Sequence, residues 1–273
     1  MYEKRITFFI DILGFRNIVS KTEIDQELTR DIFSVLETMK SENITNELFV
    51  EFNETEESKK EIKEIKDMQA LFSKILVSES SIQVTHFSDS IVMSIGLEND
   101  MNAMSLIEYV GRLIYRLWKD FKILIRGGVS VDNLIHVENG PLFGPAMVKA
   151  YDFETHLSVY PRIVLDDTVF NIVGNSPSFK AMKDLFIDFS GKKEVNGKEI
   201  TINRGLEINL ATSFRHYMNS HFTWHPEKKQ EVQIEINNSI KYLETKMTET
   251  SNEGIRDKYR YLIKQITNLI LEK

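Results

Sequence analysis

The chain has no cysteine. That excludes disulfides, thiolate-held zinc and cysteine nucleophiles, and it fits a reducing compartment. Proline is scarce, at five in 273 residues, and no Gly/Pro-rich tract marks a linker between domains. No apolar run approaches the ~18–20 residues of a membrane helix. The opening stretch "MYEKRITFFIDIL" is interrupted by Asp11, so it does not have the form of a signal peptide. Basic residues do not dominate: Lys and Arg number 34 against 41 Asp and Glu, a net charge of −7. A broad nucleic-acid-binding surface is therefore not expected. Neither a phosphate-binding Walker loop nor a serine nucleophile elbow is present. These absences leave a cytoplasmic protein with no membrane and no nucleic acid among its expected partners.

What the chain does have is apolar content, 42%, enough for a substantial core. "RITFFIDILGF" reads as a buried strand ending at a glycine turn. "QELTRDIFSVLETMK" has helical spacing of apolar residues. Residues 41–80 form a polar excursion, most charged in "NETEESKKEIKEIKD", expected as a solvated insertion. "SIQVTHFSDSIVMSIG" reads as two strands joined at Ser88-Asp89-Ser90. A strong amphipathic helix, "AMSLIEYVGRLIYRLWKDF", follows. Next come a strand, a turn and a short strand in "KILIRGGVSVDNLIHVENGPLFG", then a helix opened by Gly144-Pro145. "RIVLDDTVFNIV" is a strand leading into a helix, with Asp166-Asp167 as cap residues.

This order predicts an α+β fold around a ferredoxin-like βαββαβ core, an antiparallel sheet with helices. The expected division is a catalytic unit over 1–185 and an extension over 186–273. The extension starts with a hairpin in "LFIDFSGKKEVNGKEI" and is mainly helical from about 205 onward.

Asp11 is the residue that asks for an explanation. A lone ionised carboxylate in an apolar strand is costly unless it has a partner. Asp89, in the turn between the second and third strands, is a second carboxylate. In a ferredoxin-like sheet the first and third core strands are neighbours, so both side chains can meet at one end. Two hard oxygen donors and a backbone carbonyl suit Mg²⁺ or Mn²⁺. The turn after Asp11 brings backbone N–H groups to the start of the next helix, a cradle for phosphate.

"FFIDILGF", "THFSDSIVM", "IRGGVSV" and "GPLFGPAMVKAYDFE", in this order, resemble class III nucleotidyl cyclases over roughly residues 5–170. Within that family the chain is most similar to the bacterial pyrimidine (uridylate/cytidylate) cyclases of the Pycsar anti-phage system. The resemblance implies two Mg²⁺ or Mn²⁺ ions held by Asp11, Asp89 and the Ile12 carbonyl, and a phosphate-binding turn of Leu13, Gly14 and Phe15. It implies a homodimer with sites at the interface. The reaction it implies is attack of a ribose 3′-oxygen on the α-phosphate with loss of pyrophosphate. The cyclic product would act on a separate effector.

Departures from the purine-cyclase pattern matter as much. The base-reading Lys is replaced by Thr85 and the base-reading Asp by Pro141. A site that loses such groups loses its discrimination for that base. A pyrimidine triphosphate is thus expected, UTP ahead of CTP, with Thr85 and Phe87 at the nucleotide. The Asn and Arg of the last helix are replaced by Val148 and Asp152. Arg126 and Lys149 are the candidate substitutes for the missing catalytic cation. The same replacements keep a second reading open, a catalytically inactive nucleotide sensor or partner-binding module. A diguanylate cyclase is disfavoured, because the hairpin reads "FSDSI" and not Gly-Gly followed by two acidic residues.

Overall fold

The computed structural model describes residues 1–40, 44, 82–97, 100–174, 176–220 and 226–271. Apart from Ile44, the polar insertion expected at 41–80 lies outside them.

The chain opens with β1 (Glu3–Ile12), α1 (Phe15–Thr22) and α2 (Gln26–Thr38). The hairpin of β2 (Gln83–Phe87) and β3 (Ser90–Gly96) leads to α3 (Asp100–Phe121). Then come β4 (Ile125–His136), β5 (Leu142–Phe143), α4 (Pro145–Leu157), β6 (Arg162–Leu165) and α5 (Asp167–Val173). A short helix α6 (Pro177–Ala181) precedes the hairpin of β7 (Ile187–Val195) and β8 (Lys198–Asn209). Helices α7 (Leu210–Ser220), α8 (Pro226–Glu249) and α9 (Glu253–Leu271) complete the described chain.

The strands lie in the order β2-β3-β1-β4-β6-β8-β7, with β5 paired to β4. The first four are antiparallel to one another in succession, which is the ferredoxin-like arrangement expected from the sequence. β6 then adds parallel to β4, and the last hairpin adds antiparallel to β6. The sheet therefore runs on past residue 185 without a break.

One expectation is corrected here. The helical part begins at Leu210, not near 205, because β8 continues to Asn209. Leu206 and Ile208 bury into the main core while Glu207 and Asn209 face the other side. That period-two alternation is strand geometry, and pairing with β6 sustains it.

Strand alternation also decides where Asp11 points. Ile6, Phe8, Ile10 and Ile12 bury on one face, in the same core cluster as Leu106, Val110 and Trp118 of α3. The residues between them face the opposite layer, where Phe9 packs with Val92 and Ala150 of α4. Asp11 thus belongs to the α4 face. The helix sits close to the sheet there because Gly128 has no side chain. A Cβ at that position would lie 2.2 Å from the Ala150 carbonyl oxygen and 2.7 Å from the Glu154 nitrogen.

The terminal helices share the main core. Leu243, Leu262 and Ile266 belong to the same cluster as the sheet and α3. The Trp118 indole donates to Ser239 Oγ of α8 at 2.7 Å. No helix among the described residues is long and apolar enough to cross a membrane.

Candidate functional site

Asp11 stands at the end of β1, opposite Ser90 of β3 on one side and Arg126 of β4 on the other. The Ile12 amide donates to the Asp89 carbonyl at 2.9 Å. Both carboxylate-bearing residues are therefore brought to one end of the sheet, as the fold predicts. The hairpin turn that carries Asp89 is tight, with Ser88 at φ 60°.

Asp11 has a protein partner. Arg126 Nε donates to Asp11 Oδ2 at 2.9 Å, and Arg126 Nη2 lies 2.8 Å from Glu154 Oε1 of α4. The Glu154 side chain is only 4% exposed. Burial pushes its carboxyl up, and the Arg126 guanidinium pulls it back. A fourth charge comes from the far end of the chain. Lys258 of α9 lies within electrostatic reach of Arg126, Asp11 and Glu154. Burial lowers its ammonium, with Arg126 adding to the effect and the two carboxylates opposing it.

What holds α9 there is its next turn. Tyr261 stacks on Tyr160 with ring centroids 4.6 Å apart and donates its hydroxyl to Glu207 of β8. Glu207 also pairs with Arg162 at 2.9 Å. Residues 258 and 261 share a helix face, so this anchor turns Lys258 toward the carboxylates.

The donor chemistry fits a hard divalent cation. Asp11 and Asp89 stand at one end of the sheet, and carboxylate oxygens are the donors such a cation prefers. Asp11 Oδ2 already accepts from Arg126 Nε, so a cation there would meet the positive charge of the guanidinium. Among the described residues, no three His, Cys, Asp or Glu side chains gather into a metal-holding group.

The turn after β1 is partly committed. Leu13 N–H donates to the Leu124 carbonyl at 2.9 Å, so that amide is not available to a phosphate. Gly14, at φ 77°, turns the chain in a left-handed conformation that favours glycine, and Phe15 opens α1. The Phe15 ring packs against the main core. The anion cradle expected at Leu13, Gly14 and Phe15 therefore narrows to the amides of Gly14, Phe15 and the following Arg16.

The substitute cations have separate fates. Arg126 is at the carboxylates. Lys149 is ion-paired with Asp132, which lowers the Asp132 carboxyl through that hydrogen bond. Asp152 pairs with Lys198 of β8 at 2.9 Å, and Val148 is exposed. Phe87 is 46% exposed at the end of β2. Glu154 stood in a motif noted from sequence without an assigned role. The long-range placement of Lys258 had no local signal at all.

Thr85 is tied into a polar chain on the α4 face. Its Oγ1 is 2.9 Å from His136 Nε2. His136 Nδ1 is 2.8 Å from Ser94 Oγ, and Arg5 Nε donates to that same Oγ at 2.9 Å. Burial and the Arg5 charge depress His136 to about 4, so its imidazole is neutral at pH 7.

No family model matches the chain. No curated protein matches it either. Solved structures do. An adenylyl cyclase from P. aeruginosa, CyaB, is 13% identical over 76% of this chain and 94% of its own, at TM-score 0.41. A bacterial light-regulated adenylyl cyclase is 13% identical over 80% and 94%, at TM-score 0.39. Adenylate cyclases from Trypanosoma brucei, in their monomeric state, give 10% identity over 76% and 88%, at TM-score 0.42. A likeness this distant does not by itself assign an activity.

Proposed function

We propose that this chain is a class III nucleotidyl cyclase dependent on Mg²⁺ or Mn²⁺. It acts on a pyrimidine nucleoside triphosphate, UTP ahead of CTP. The 3′-oxygen attacks the α-phosphorus, the bond to the β-phosphate oxygen breaks, and pyrophosphate and the hydroxyl proton are released. The observation that carries this reading is the meeting of Asp11 and Asp89 at one end of a ferredoxin-ordered sheet. It rests on the Asp11–Ser90 register and the Ile12–Asp89 hydrogen bond.

Asp11, Asp89 and the Ile12 carbonyl would hold the two metal ions. Such ions supply charge stabilisation for the attacking oxygen and the leaving pyrophosphate. Gly14 and Phe15 bind phosphate through backbone N–H groups. Arg126 supplies positive charge at the reacting phosphate once it leaves Asp11. Thr85 and Phe87 contact the base. Residues 1–185 carry the chemistry, and 186–273 extend its sheet and brace it. The active form is a cytoplasmic homodimer. Exposed apolar side chains at Phe87, Phe143, Val148 and Tyr151 support a partner on that side of the sheet. The cyclic product switches on a separate effector in anti-phage defence.

A second reading is favoured by two contacts. Lys149 is paired with Asp132, and Asp152, a carboxylate where the family has its Arg, is paired with Lys198, so neither position offers a cation to a substrate. On that reading the fold binds nucleotide as an inactive sensor.

Incubation with ATP, GTP, CTP or UTP and Mn²⁺ or Mg²⁺, with products identified by mass spectrometry, separates the two. The expected result is a cyclic pyrimidine monophosphate from the wild type and none from a folded Asp11→Asn variant. Unchanged product formation by that variant would sink the assignment. Binding without turnover would favour the sensor.

A further inference from the structure

The chain Arg5–Ser94–His136–Thr85 has a direction. Arg5 has no acceptor, so its Nε–H donates to Ser94 Oγ. Ser94 is fully buried, and its own hydroxyl proton needs an acceptor. The neighbour in reach is His136 Nδ1 at 2.8 Å. A neutral imidazole carries one proton. If Nδ1 accepts from Ser94, then Nε2 bears the hydrogen and donates it to Thr85 Oγ1.

The opposite direction would have Nδ1–H donate to Ser94 Oγ and Thr85 donate to Nε2. That leaves the Ser94 proton buried without an acceptor, the more costly kind of hydrogen-bond loss. Thr85 is only part-buried, so its own proton can be met by water or by a ligand. The asymmetry in burial between Ser94 and Thr85 selects the first direction.

We infer that this buried relay holds Thr85 as an outward hydrogen-bond donor, and that the site selects a nucleobase presenting a carbonyl oxygen there. Uracil and cytosine share the 2-carbonyl, so the choice is made where Thr85 faces ring position 4, and there uracil carries the carbonyl oxygen and cytosine an amino donor. An amino group facing the Thr85 proton would leave two donors opposed. The inference rests on the nucleotide-cyclase reading for the contact between Thr85 and the base. The direction of the relay rests on the hydrogen bonds and on a neutral His136 imidazole, and is independent of the nucleotide reading.

Two measurements test it. Nitrogen NMR on protein labelled at histidine reads the His136 tautomer without any nucleotide, with His136→Gln to assign the signals. The expected result is a protonated Nε2 and a bare Nδ1; a protonated Nδ1 overturns the inference. Titration with 3′-deoxy-UTP and 3′-deoxy-CTP in Mn²⁺ reads base choice without turnover. The uridine analogue should bind about tenfold more tightly. Thr85→Val should erase the difference, and Thr85→Ser should keep it. Equal binding to the wild type, a preference for cytidine, or a preference that survives Thr85→Val overturns the inference alone. Failure of both analogues to bind overturns the cyclase reading and, with it, the assignment of Thr85 to a base.

Discussion

Arg126 Nε and Asp11 Oδ2 face each other across adjacent strands at 2.9 Å, with side chains 24% and 17% exposed. The same guanidinium reaches Glu154, so one cation serves two carboxylates. Arg126→Met is expected to destabilise the fold by about 3 kcal/mol, because it strands the buried Glu154 charge. Urea denaturation measures it. The double variant Arg126→Met/Glu154→Gln should recover part of the loss, since it removes the stranded charge. A single variant as stable as the wild type would show that Glu154 is not held as an ion by Arg126.

Lys258 is expected to matter for ligand binding more than for folding. It brings positive charge to the carboxylate end of the sheet from α9. Lys258→Met should weaken binding of a 3′-deoxy nucleoside triphosphate several-fold, and Lys258→Arg should restore most of it. Calorimetric titration gives both values. Equal affinities for the three proteins would remove Lys258 from the site.

His136 gives the fold a pH dependence. Its folded value is about 4, below the ordinary 6.5, through burial and the Arg5 charge. Between these values the unfolded chain takes up a proton that the folded chain refuses. Its stabilising contribution is complete above about pH 6.5 and is lost as the pH falls toward 4. Arg5 of β1, Ser94 of β3 and Thr85 of β2 surround the ring, and Arg5 is the charged one. Urea midpoints compared at about pH 7 and about pH 5 should drop less in His136→Gln than in the wild type.

Ser239 tests how firmly α8 belongs to the core. It accepts from the buried Trp118 indole at 2.7 Å. Ser239→Ala removes that acceptor, and an orphaned buried donor costs about 1–3 kcal/mol. Thermal unfolding should remain a single transition at a lower midpoint. Separate melting of the terminal helices would contradict the shared core.

Much of the fold can be read locally. "RITFFIDILGF" alternates and stops at glycine, and "FSDSI" makes a hairpin turn. α3 shows its periodicity, and the Gly-Pro opening marks the start of α4. The end of β8 is less legible. Arg204-Gly205 looks like a stop, yet pairing with β6 carries the strand to Asn209.

By itself, the sequence determined which segments are strands and helices near the first strand and their succession along the chain. It also marked Asp11 and Asp89 as the carboxylates to watch. Those properties follow from hydrophobic period and turn chemistry, which act over a few residues. Tertiary structure alone decided that Arg126 sits between Asp11 and Glu154, that Lys258 returns to the same end of the sheet, and that His136 reaches Thr85. Each joins residues far apart in the chain, and His136 and Thr85 are separated by 51 positions. Contacts of that kind depend on strand order and helix docking, which no local spacing encodes.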